Sequence, residues 1–337
     1  MKGWTWESWK SNRRRKIRGV SKRMAKQIIM DVDVGVDDGL AIIFASRLPE
    51  LDLRAITTVS GNVHVDKTSI NALKVLEALA KPEIPVAKGM SKPLKRNFQV
   101  ADDFHGKDGL GDSNLPYPKI RVVKRHAVDL LLEETAANPG RITVVATGPL
   151  TNIAAAIQRD PDFIKRTQEL VIMGGAYAVT PYGYGNMNPV AEFNIYVDPE
   201  AASIVFKSGI QLTAIGLDVT TDPKATLTKE LHRTMAKAGN PIAKFAALIT
   251  QQLMTKYGFL HLHDPMAVAV AADPTLVTTV KYHVDIETVS NLTRGQTVAD
   301  RREWLPESSR QPPNAKVCTS VNGERFLKMF MDRIASS

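Results

Sequence analysis

Apolar residues occur along the chain in short runs that alternate with longer stretches of helical spacing. Runs of the length of a buried strand cover residues 27–32, 53–59, 141–147, 168–174 and 211–217. Strands that are apolar on both faces and separated by helices are typical of a parallel sheet covered on both sides. We therefore predict an α/β fold with a single open, mostly parallel, twisted sheet, helices on both faces and a Rossmann-like core.

The first apolar run leads into a dense group of acidic residues. The apolar spacing at 39–48 predicts a helix, and the turn before it carries four acids within eight residues: Asp31, Asp33, Asp37 and Asp38. Open α/β sheets bind ligands at such turns. Repulsion among close carboxylates costs several kcal/mol at low dielectric unless protons or a divalent cation offset it. Since the turn offers oxygen ligands and no Cys or His, Ca²⁺ or Mg²⁺ is favoured over Zn²⁺.

Four other interpretations account less well for the acidic turn. Stabilisation of a helix N-terminus accounts for one or two acids, not for four. An EF-hand loop is excluded, because it would need Gly at Val36 and Glu at Ile42. A phosphotransfer site with a nucleophilic aspartate also uses Asp-x-Asp after a strand and remains an alternative. A metal-dependent phosphatase would need a cationic phosphate clamp, but residues 31–45 contain no Lys or Arg.

Residues 31–42 resemble the N-terminal signature of the inosine-uridine type of nucleoside hydrolases. Further motifs follow in the order of that family: Thr58–Val63, His105–Gly106, Ala146–Asn152, Ile172–Ala176, Ala191–Asn194 and His263–Pro265. By these motifs the chain, from about residue 26 onward, is identified as a member of the family. Val34 stands where the family usually has Pro and Gly39 where it usually has Ala, and neither change removes an oxygen ligand.

The resemblance implies one Ca²⁺ at the floor of the pocket, which binds both ribose hydroxyls and the attacking water. Its protein ligands would be Asp33, Asp38, the backbone carbonyl of Thr147, and Asp264. Because Ca²⁺ takes about six to eight oxygen ligands, it can accept a diol and a water as well. Asp33 would act as the general base. His263 would act as the general acid for the departing base, since a histidine pKa of about 6.5 suits either protonation state at neutral pH.

The resemblance also assigns residues to the substrate: Asp37, Asn62, His105, Met173, Asn186, Glu192 and Asn194. Asp37 would bond a ribose hydroxyl, Asn186 and Glu192 the 5′-hydroxyl, and His105 would lie near the base. The segment from Glu192 to Asn194 is expected to be strand-like, with both polar side chains on one face.

Base specificity is expected to lie between residues 245 and 262. The candidates there are Gln251, Thr255, Tyr257 and His261. Gln251 could make paired amide contacts with a pyrimidine, whereas purine-preferring relatives tend to stack the base on aromatic rings. We therefore expect pyrimidine or mixed specificity.

The positive charge of the chain is concentrated at its N-terminus. Residues 1–26 hold ten Lys and Arg and one acid, whereas the rest has 34 residues of each sign. We divide the chain into a basic extension, 1–26, and a nucleoside hydrolase domain, 27–337. The neutral domain is not expected to bind nucleic acid. The extension could bind nucleic acid, an anionic membrane or an import receptor, or be a disordered tail or a misassigned start.

The single cysteine, Cys318, excludes an intramolecular disulfide and is expected to fill the core of a strand. No apolar run approaches the roughly 20 residues of a membrane span. We expect a cytoplasmic homodimer or homotetramer that hydrolyses small ribonucleosides to ribose and a free base. The alternative is a nucleoside- or ribose-binding protein without turnover, against which the presence of Asp33 and His263 argues.

Overall fold

The central element of the structure is a large β-sheet. The computed structural model describes residues 25–97 and 102–335, so almost all of the predicted extension 1–26 lies outside the described residues. The strands within them are β1 Lys26–Val32, β2 Leu51–Thr58, β3 Val86–Lys88, β4 Ile142–Ala146, β5 Thr167–Met173, β6 Leu212–Ile215, β7 Thr226–Thr228, β8 Phe259–His261, β9 Val277–Tyr282, β10 Val284–Ile286, β11 Thr297–Ala299 and β12 Ala315–Val321.

Helices connect most of the strands. They are α1 Val36–Arg47, α2 Val65–Ala78, α3 Asp102–His105, α4 Ala127–Ala137, α5 Thr151–Arg159, α6 Phe163–Arg166, α7 Phe193–Val197, α8 Pro199–Lys207, α9 Leu217–Thr220, α10 Lys229–Lys237, α11 Pro241–Lys256, α12 His263–Ala272 and α13 Gly323–Ala335. Among the described helices, none is both long and apolar enough to cross a membrane.

Eight of the strands form one sheet in the order β3-β2-β1-β4-β5-β6-β12-β9. Every neighbouring pair is parallel except β9, which runs antiparallel to β12 at one edge. The five predicted strands correspond to β1, β2, β4, β5 and β6, so the predicted fold class is confirmed. From β1 the chain moves to one edge, and from β4 it moves to the other. The carboxyl ends of β1 and β4 therefore flank the point where open α/β sheets form their ligand crevice.

Two hydrophobic cores cover the two faces of the sheet. In β1, Ile28, Met30 and Val32 belong to one core, and Ile29 belongs to the other. This alternation follows from the two-residue period of a strand, and consecutive apolar residues at 28–30 fit a sheet buried on both faces. The sheet is thus a rigid support for the turns at its carboxyl edge.

Cys318 lies in β12 and is fully buried, as the sequence predicts. Burial raises the pKa of its thiol to about 12. The side chain therefore acts as an apolar filler of the core and not as a thiolate nucleophile.

The contact between α1 and α13 gives a prediction about stability. Phe44 and Phe330 are fully buried with ring centroids 5.3 Å apart. Phe330→Ala should lower the free energy of unfolding by roughly 3–5 kcal/mol, because it removes this contact and leaves a cavity. Denaturant unfolding measures the change. Tyr117→Ala, at a residue that is 75% exposed, should change stability by less than about 0.5 kcal/mol. Equal effects of the two substitutions would contradict the described packing.

Candidate active site

The candidate site lies at the carboxyl ends of β1 and β4. Asp33 directly follows β1, and Asp37 and Asp38 open α1. Thr147 directly follows β4, and Asp264 is the second residue of α12. The parallel sheet thus brings residues that are far apart in sequence to one edge.

A cluster of three carboxylates forms the floor of this site. Asp37, Asp38 and Asp264 each offer an oxygen within 4.8 Å of the others, and all three are buried. This group could hold a metal ion. It includes Asp37, which the resemblance assigns to the ribose, while Asp33 is buried beside it and interacts electrostatically with the other acids.

Asn62 connects two of the acids that are predicted to bind the metal. Its backbone N–H donates to Asp33 Oδ2 at 2.7 Å, and its Nδ2 donates to Asp38 Oδ2 at 3.2 Å. Asp38 also accepts the backbone N–H of Gly35 at 2.9 Å and the hydroxyl of Thr147 at 2.7 Å. Because these donors hold the carboxylates from several directions, the acids are oriented before any ligand binds.

Two carboxylate oxygens in the site remain without a partner. Asp33 Oδ1 and Asp37 Oδ1 are buried and accept no hydrogen bond from the described residues. Leaving a charged oxygen buried and unpaired is costly, so such atoms mark a position for a proton or a cation. The donor set is entirely oxygen, which suits a hard divalent ion.

The environment raises the pKa values of these acids. Burial, together with repulsion from Asp38, raises the pKa of Asp37 to about 7 and raises the pKa of Asp33 well above its usual range. Burial and the charges of the other acids likewise raise the pKa of Asp264 well above its usual range. Without a cation, some of these carboxyl groups therefore bind protons, which reduces the repulsion among them.

Burial determines the ionisation of His263. Its ring Nδ1 lies 2.8 Å from Thr220 Oγ1. Burial, together with the nearby His261 and His105, lowers the pKa of His263 to about 3, whereas the sequence suggests an ordinary value of about 6.5. The imidazole is thus neutral at neutral pH. If the Thr220 hydroxyl donates to Nδ1, the ring carries its proton on Nε2 and can donate from there.

His105 is held against the start of α1. Its Nδ1 accepts the backbone N–H of Val36 at 3.2 Å, and burial lowers its pKa to about 3. Accepting at Nδ1 places the proton of the neutral ring on Nε2. The predicted location of His105 near the base stays a prediction.

Glu192 and Asn194 do not lie in a strand, so that expectation was wrong. Glu192 precedes α7, where Oε1 accepts the N–H of Asn194 at 2.9 Å and Oε2 accepts the N–H of Ile195 at 3.1 Å. Oε2 also accepts the N–H of Gly175 at 3.0 Å. The carboxylate thus satisfies N–H groups that a helix start leaves free, which stabilises a helix where the local pattern resembles a strand.

Asn194 contacts two of the other predicted site residues. Its Nδ2 donates to the carbonyl oxygen of Thr147 at 2.7 Å and to that of Met173 at 3.1 Å. Asn186, in contrast, is exposed, and its backbone N–H donates to the carbonyl of Ala191. The predicted contact of Asn186 with the 5′-hydroxyl therefore stays a prediction.

The segment expected to recognise the base, residues 245–262, covers most of α11 and all of β8. Tyr257 stacks on Phe104 with ring centroids 5.6 Å apart, and both rings are partly exposed. Phe104 was missed by sequence reasoning, and its only sequence signal is its position next to His105. His261 is paired with Thr226 at 3.0 Å, and its ring lies 5.6 Å from that of His263.

Gln251 and Thr255, the other two candidates for base recognition, bond to each other. Gln251 Nε2 donates to Thr255 Oγ1 at 3.0 Å, and both residues are exposed on α11. The Gln251 amide also has a second N–H and a carbonyl oxygen, so contact with a base does not require this bond to open.

The fold and the site together define a class of α/β enzymes with a buried acidic crevice at the carboxyl edge of the sheet. The family model of the inosine-uridine preferring nucleoside hydrolases matches residues 28–328, and the chain belongs to this family. It is therefore an N-ribohydrolase of ribonucleosides.

Similar proteins agree with this assignment. The chain is 41% identical over 319 residues to a pyrimidine-specific ribonucleoside hydrolase, RihA, of Shewanella sp. (strain ANA-3), across 93% of this chain and 97% of the relative. Among solved structures, a plant nucleoside hydrolase, PpNRh1, is 33% identical with a TM-score of 0.86, across 93% of this chain and 100% of that one. A purine-preferring ribonucleoside hydrolase from Gardnerella vaginalis is 36% identical with a TM-score of 0.84, across 92% and 98% of the two chains.

The raised pKa of Asp37 predicts how stability depends on pH. In metal-free protein, the stability that protonated Asp37 contributes is fully present below the pKa of this carboxyl in the unfolded chain. It is lost as pH rises from about 4 towards the folded-state pKa of about 7. Asp37→Asn cannot ionise, so its Tm relative to the wild type should increase over that interval in the presence of a chelator. Thermal unfolding at several pH values measures this difference.

Asp162→Asn serves as the control for this measurement, since the Asp162 side chain is 68% exposed. Its Tm relative to the wild type should change with pH much less than that of Asp37→Asn. A Tm difference for Asp37→Asn that stays constant from pH 4 to pH 7 would contradict the described repulsion among the acids.

Proposed function

We propose that the protein hydrolyses the N-glycosidic bond of ribonucleosides with Asp33 as general base, His263 as hydrogen-bond donor to the departing base, and Ca²⁺ as cofactor. The ligands of the ion would be Asp33, Asp38, the carbonyl oxygen of Thr147, and Asp264. The observation that carries the proposal is the buried carboxylate cluster at the edge of the sheet, with free oxygens on Asp33 and Asp37.

The residues present suit a calcium ion. All of the proposed ligand atoms are oxygens, and the carbonyl of Thr147 has a second lone pair beside the one that accepts from Asn194. When bound, Ca²⁺ would orient the ribose diol and lower the pKa of the attacking water. Its positive charge would also offset the repulsion among the acids in place of protons, so that Asp33 would stay ionised.

Asp33 is suited to accept a proton. The N–H of Asn62 holds its Oδ2, while its buried Oδ1 has no partner among the described residues. A Cβ at Gly61 would lie 2.0 Å from Asp33 Oδ2, so glycine is required for the loop to approach this closely. The carboxylate is thus fixed on one side and free on the other, as a general base requires.

The acids also stabilise the reacting sugar. Cleavage of the bond builds positive charge on the ribose ring. The carboxylates, which are negative and fixed in position, stabilise that charge. In this proposal Asp37, Asn62 and Asn194 bond the ribose hydroxyls, and Glu192 and Asn186 bond the 5′-hydroxyl. Met173 lies below the sugar.

In this proposal the neutral imidazole of His263 assists the departure of the base. With Nδ1 paired to Thr220, the Nε2 proton can be donated as negative charge develops on the base. His105 would contact the base through Nε2 from the side of α1. Its Nδ1 accepts the N–H of Val36, so the proton of the neutral ring is on Nε2.

We propose pyrimidine nucleosides as the preferred substrates. This is supported by the 41% identity to a pyrimidine-specific relative, with nearly complete coverage of both chains. Purine preference is the second candidate, because the stacked pair of Phe104 and Tyr257 offers an aromatic surface and a purine-preferring hydrolase has a similar structure.

Turnover of uridine, cytidine, inosine and adenosine tests the function and the specificity. Released reducing sugar should be highest with the two pyrimidine nucleosides. Complete chelation should lower the rate by at least roughly 100-fold, and added Ca²⁺ should restore it, because the cation orients both sugar and water. Activity that survives complete removal of metal would contradict the cofactor, and faster turnover of inosine would contradict the specificity.

Substitution separates the proposed roles of the two catalytic residues. Asp33→Ala should lower kcat for uridine by roughly 10²–10⁴-fold, and His263→Ala should do so by a similar factor. Some ribosides, such as 4-nitrophenyl riboside, have a leaving group that departs without protonation. The kcat for such a substrate should fall strongly in Asp33→Ala and only slightly in His263→Ala.

His126→Ala, at an exposed histidine that precedes α4, is the control and should leave both rates unchanged. Equal loss of both substrates in His263→Ala would show that His263 does not act on the leaving group.

A further inference from the structure

Asp31 is the acid of the N-terminal group that has no role in the proposed mechanism. It lies in β1 and is fully buried. Its Oδ1 accepts the hydroxyl of Thr57 at 2.5 Å and the Nδ2 group of Asn152 at 2.8 Å. A buried carboxylate with two side-chain donors points to a specific role, since an apolar residue would fill a strand at lower cost.

Asn152 links Asp31 to neighbouring elements. Its Nδ2 also donates to the carbonyl of Thr58 at 3.0 Å, and its Oδ1 accepts the N–H of Met90 at 2.9 Å. One buried side chain in α5 therefore connects β1, β2 and the chain that follows β3. Because both N–H groups and the carbonyl oxygen of the amide are hydrogen-bonded, the orientation of the Asn152 side chain is fixed.

Asp31 holds both ends of the turn that joins β4 to α5. At the start of the turn, the N–H of Thr147 donates to the backbone carbonyl of Asp31 at 2.8 Å. At its end, Asn152 is held by the Asp31 side chain. The turn lies directly against Asp33, since a Cβ at Gly148 would be 3.0 Å from the backbone nitrogen and from Oδ1 of Asp33.

We propose that Asp31 is a positioning residue of the active site, which acts through Asn152 to fix the Thr147–Asn152 turn against Asp33. It thereby sets the distance between the oxygens of Thr147 and the carboxylate of Asp33. This inference rests on the proposed roles of Thr147 and Asp33. A displacement of about 1 Å between such groups is enough to lower a rate by about 100-fold.

The substitutions follow from the two contacts of Asp31 Oδ1. Asp31→Ala and Asn152→Ala each break the link to the turn, whereas Thr57→Val removes the other hydrogen bond to the same oxygen and leaves the turn attached. Asp31→Asn keeps an acceptor oxygen and should rescue the link. Each protein is compared at an equal folded fraction, established by thermal unfolding.

Uridine hydrolysis and Ca²⁺ affinity are measured on each protein. Asp31→Ala and Asn152→Ala should each lower kcat roughly 10- to 100-fold with less than about a threefold change in KM. The double substitution should lower kcat no further than one single substitution, because the two residues act as a unit. Calorimetric titration with Ca²⁺ alone should show weaker binding in both single variants. Thr57→Val and Asp31→Asn should stay within about threefold of the wild type.

Two results would overturn the inference. One is a loss of kcat in Thr57→Val as large as in Asn152→Ala, which would indicate a general effect of a broken buried hydrogen bond. The other is additive losses in the double substitution. If Asp31→Ala does not fold, the comparison of Asn152→Ala with Thr57→Val decides alone. Absence of nucleoside turnover by the wild type would instead refute the proposed function, and it is measured first.

Discussion

Mutual repulsion among buried carboxylates is the constraint on which this structure depends. Two unit charges at the 4.8 Å limit that encloses Asp37, Asp38 and Asp264 repel by roughly 3–4 kcal/mol at an effective dielectric of about 20. Several such pairs approach the whole stability of an ordinary domain, which is about 5–15 kcal/mol. The acids can be held together only by a rigid support, with a cation or protons that offset the repulsion between them.

The sheet supplies the support. β1 and β4 are buried on both faces, so their carboxyl ends cannot separate without exposing two hydrophobic cores. Around the acids, backbone N–H groups and the side chains of Asn62 and Thr147 donate to specific carboxylate oxygens. These donors reduce the repulsion without removing it, since Asp33 Oδ1 and Asp37 Oδ1 keep no partner among the described residues. The remaining electrostatic cost favours a cation or protons beside these oxygens.

The sequence predicts the parts of this arrangement that are local. Runs of apolar residues reveal β1, β2, β4, β5 and β6, and the density of aspartates between β1 and α1 reveals a charged turn. Contacts between distant segments have no such signal. The pairing of Thr220 with His263 and the stacking of Phe104 on Tyr257 join elements that only the fold brings together. For the same reason the strand expected at Glu192 was wrong, because Gly175, which lies 17 residues earlier, helps to hold the carboxylate that begins α7.

The same low dielectric acts in opposite directions on the two kinds of ionisable group in the site. It raises the pKa values of the acids and lowers those of His263 and His105 to about 3, because in each case the charged form is poorly solvated. A cation would return the acids to their ionised form, and its positive charge would keep the histidines neutral. In the proposed mechanism His263 would then be a hydrogen-bond donor and not a cation, and its proton would move towards the leaving base only as negative charge develops there. An imidazolium at this position would instead be attracted to the carboxylates and would weaken their interaction with the metal. Neutral histidines and ionised aspartates are therefore compatible in one buried pocket when a cation compensates the negative charge of the acids.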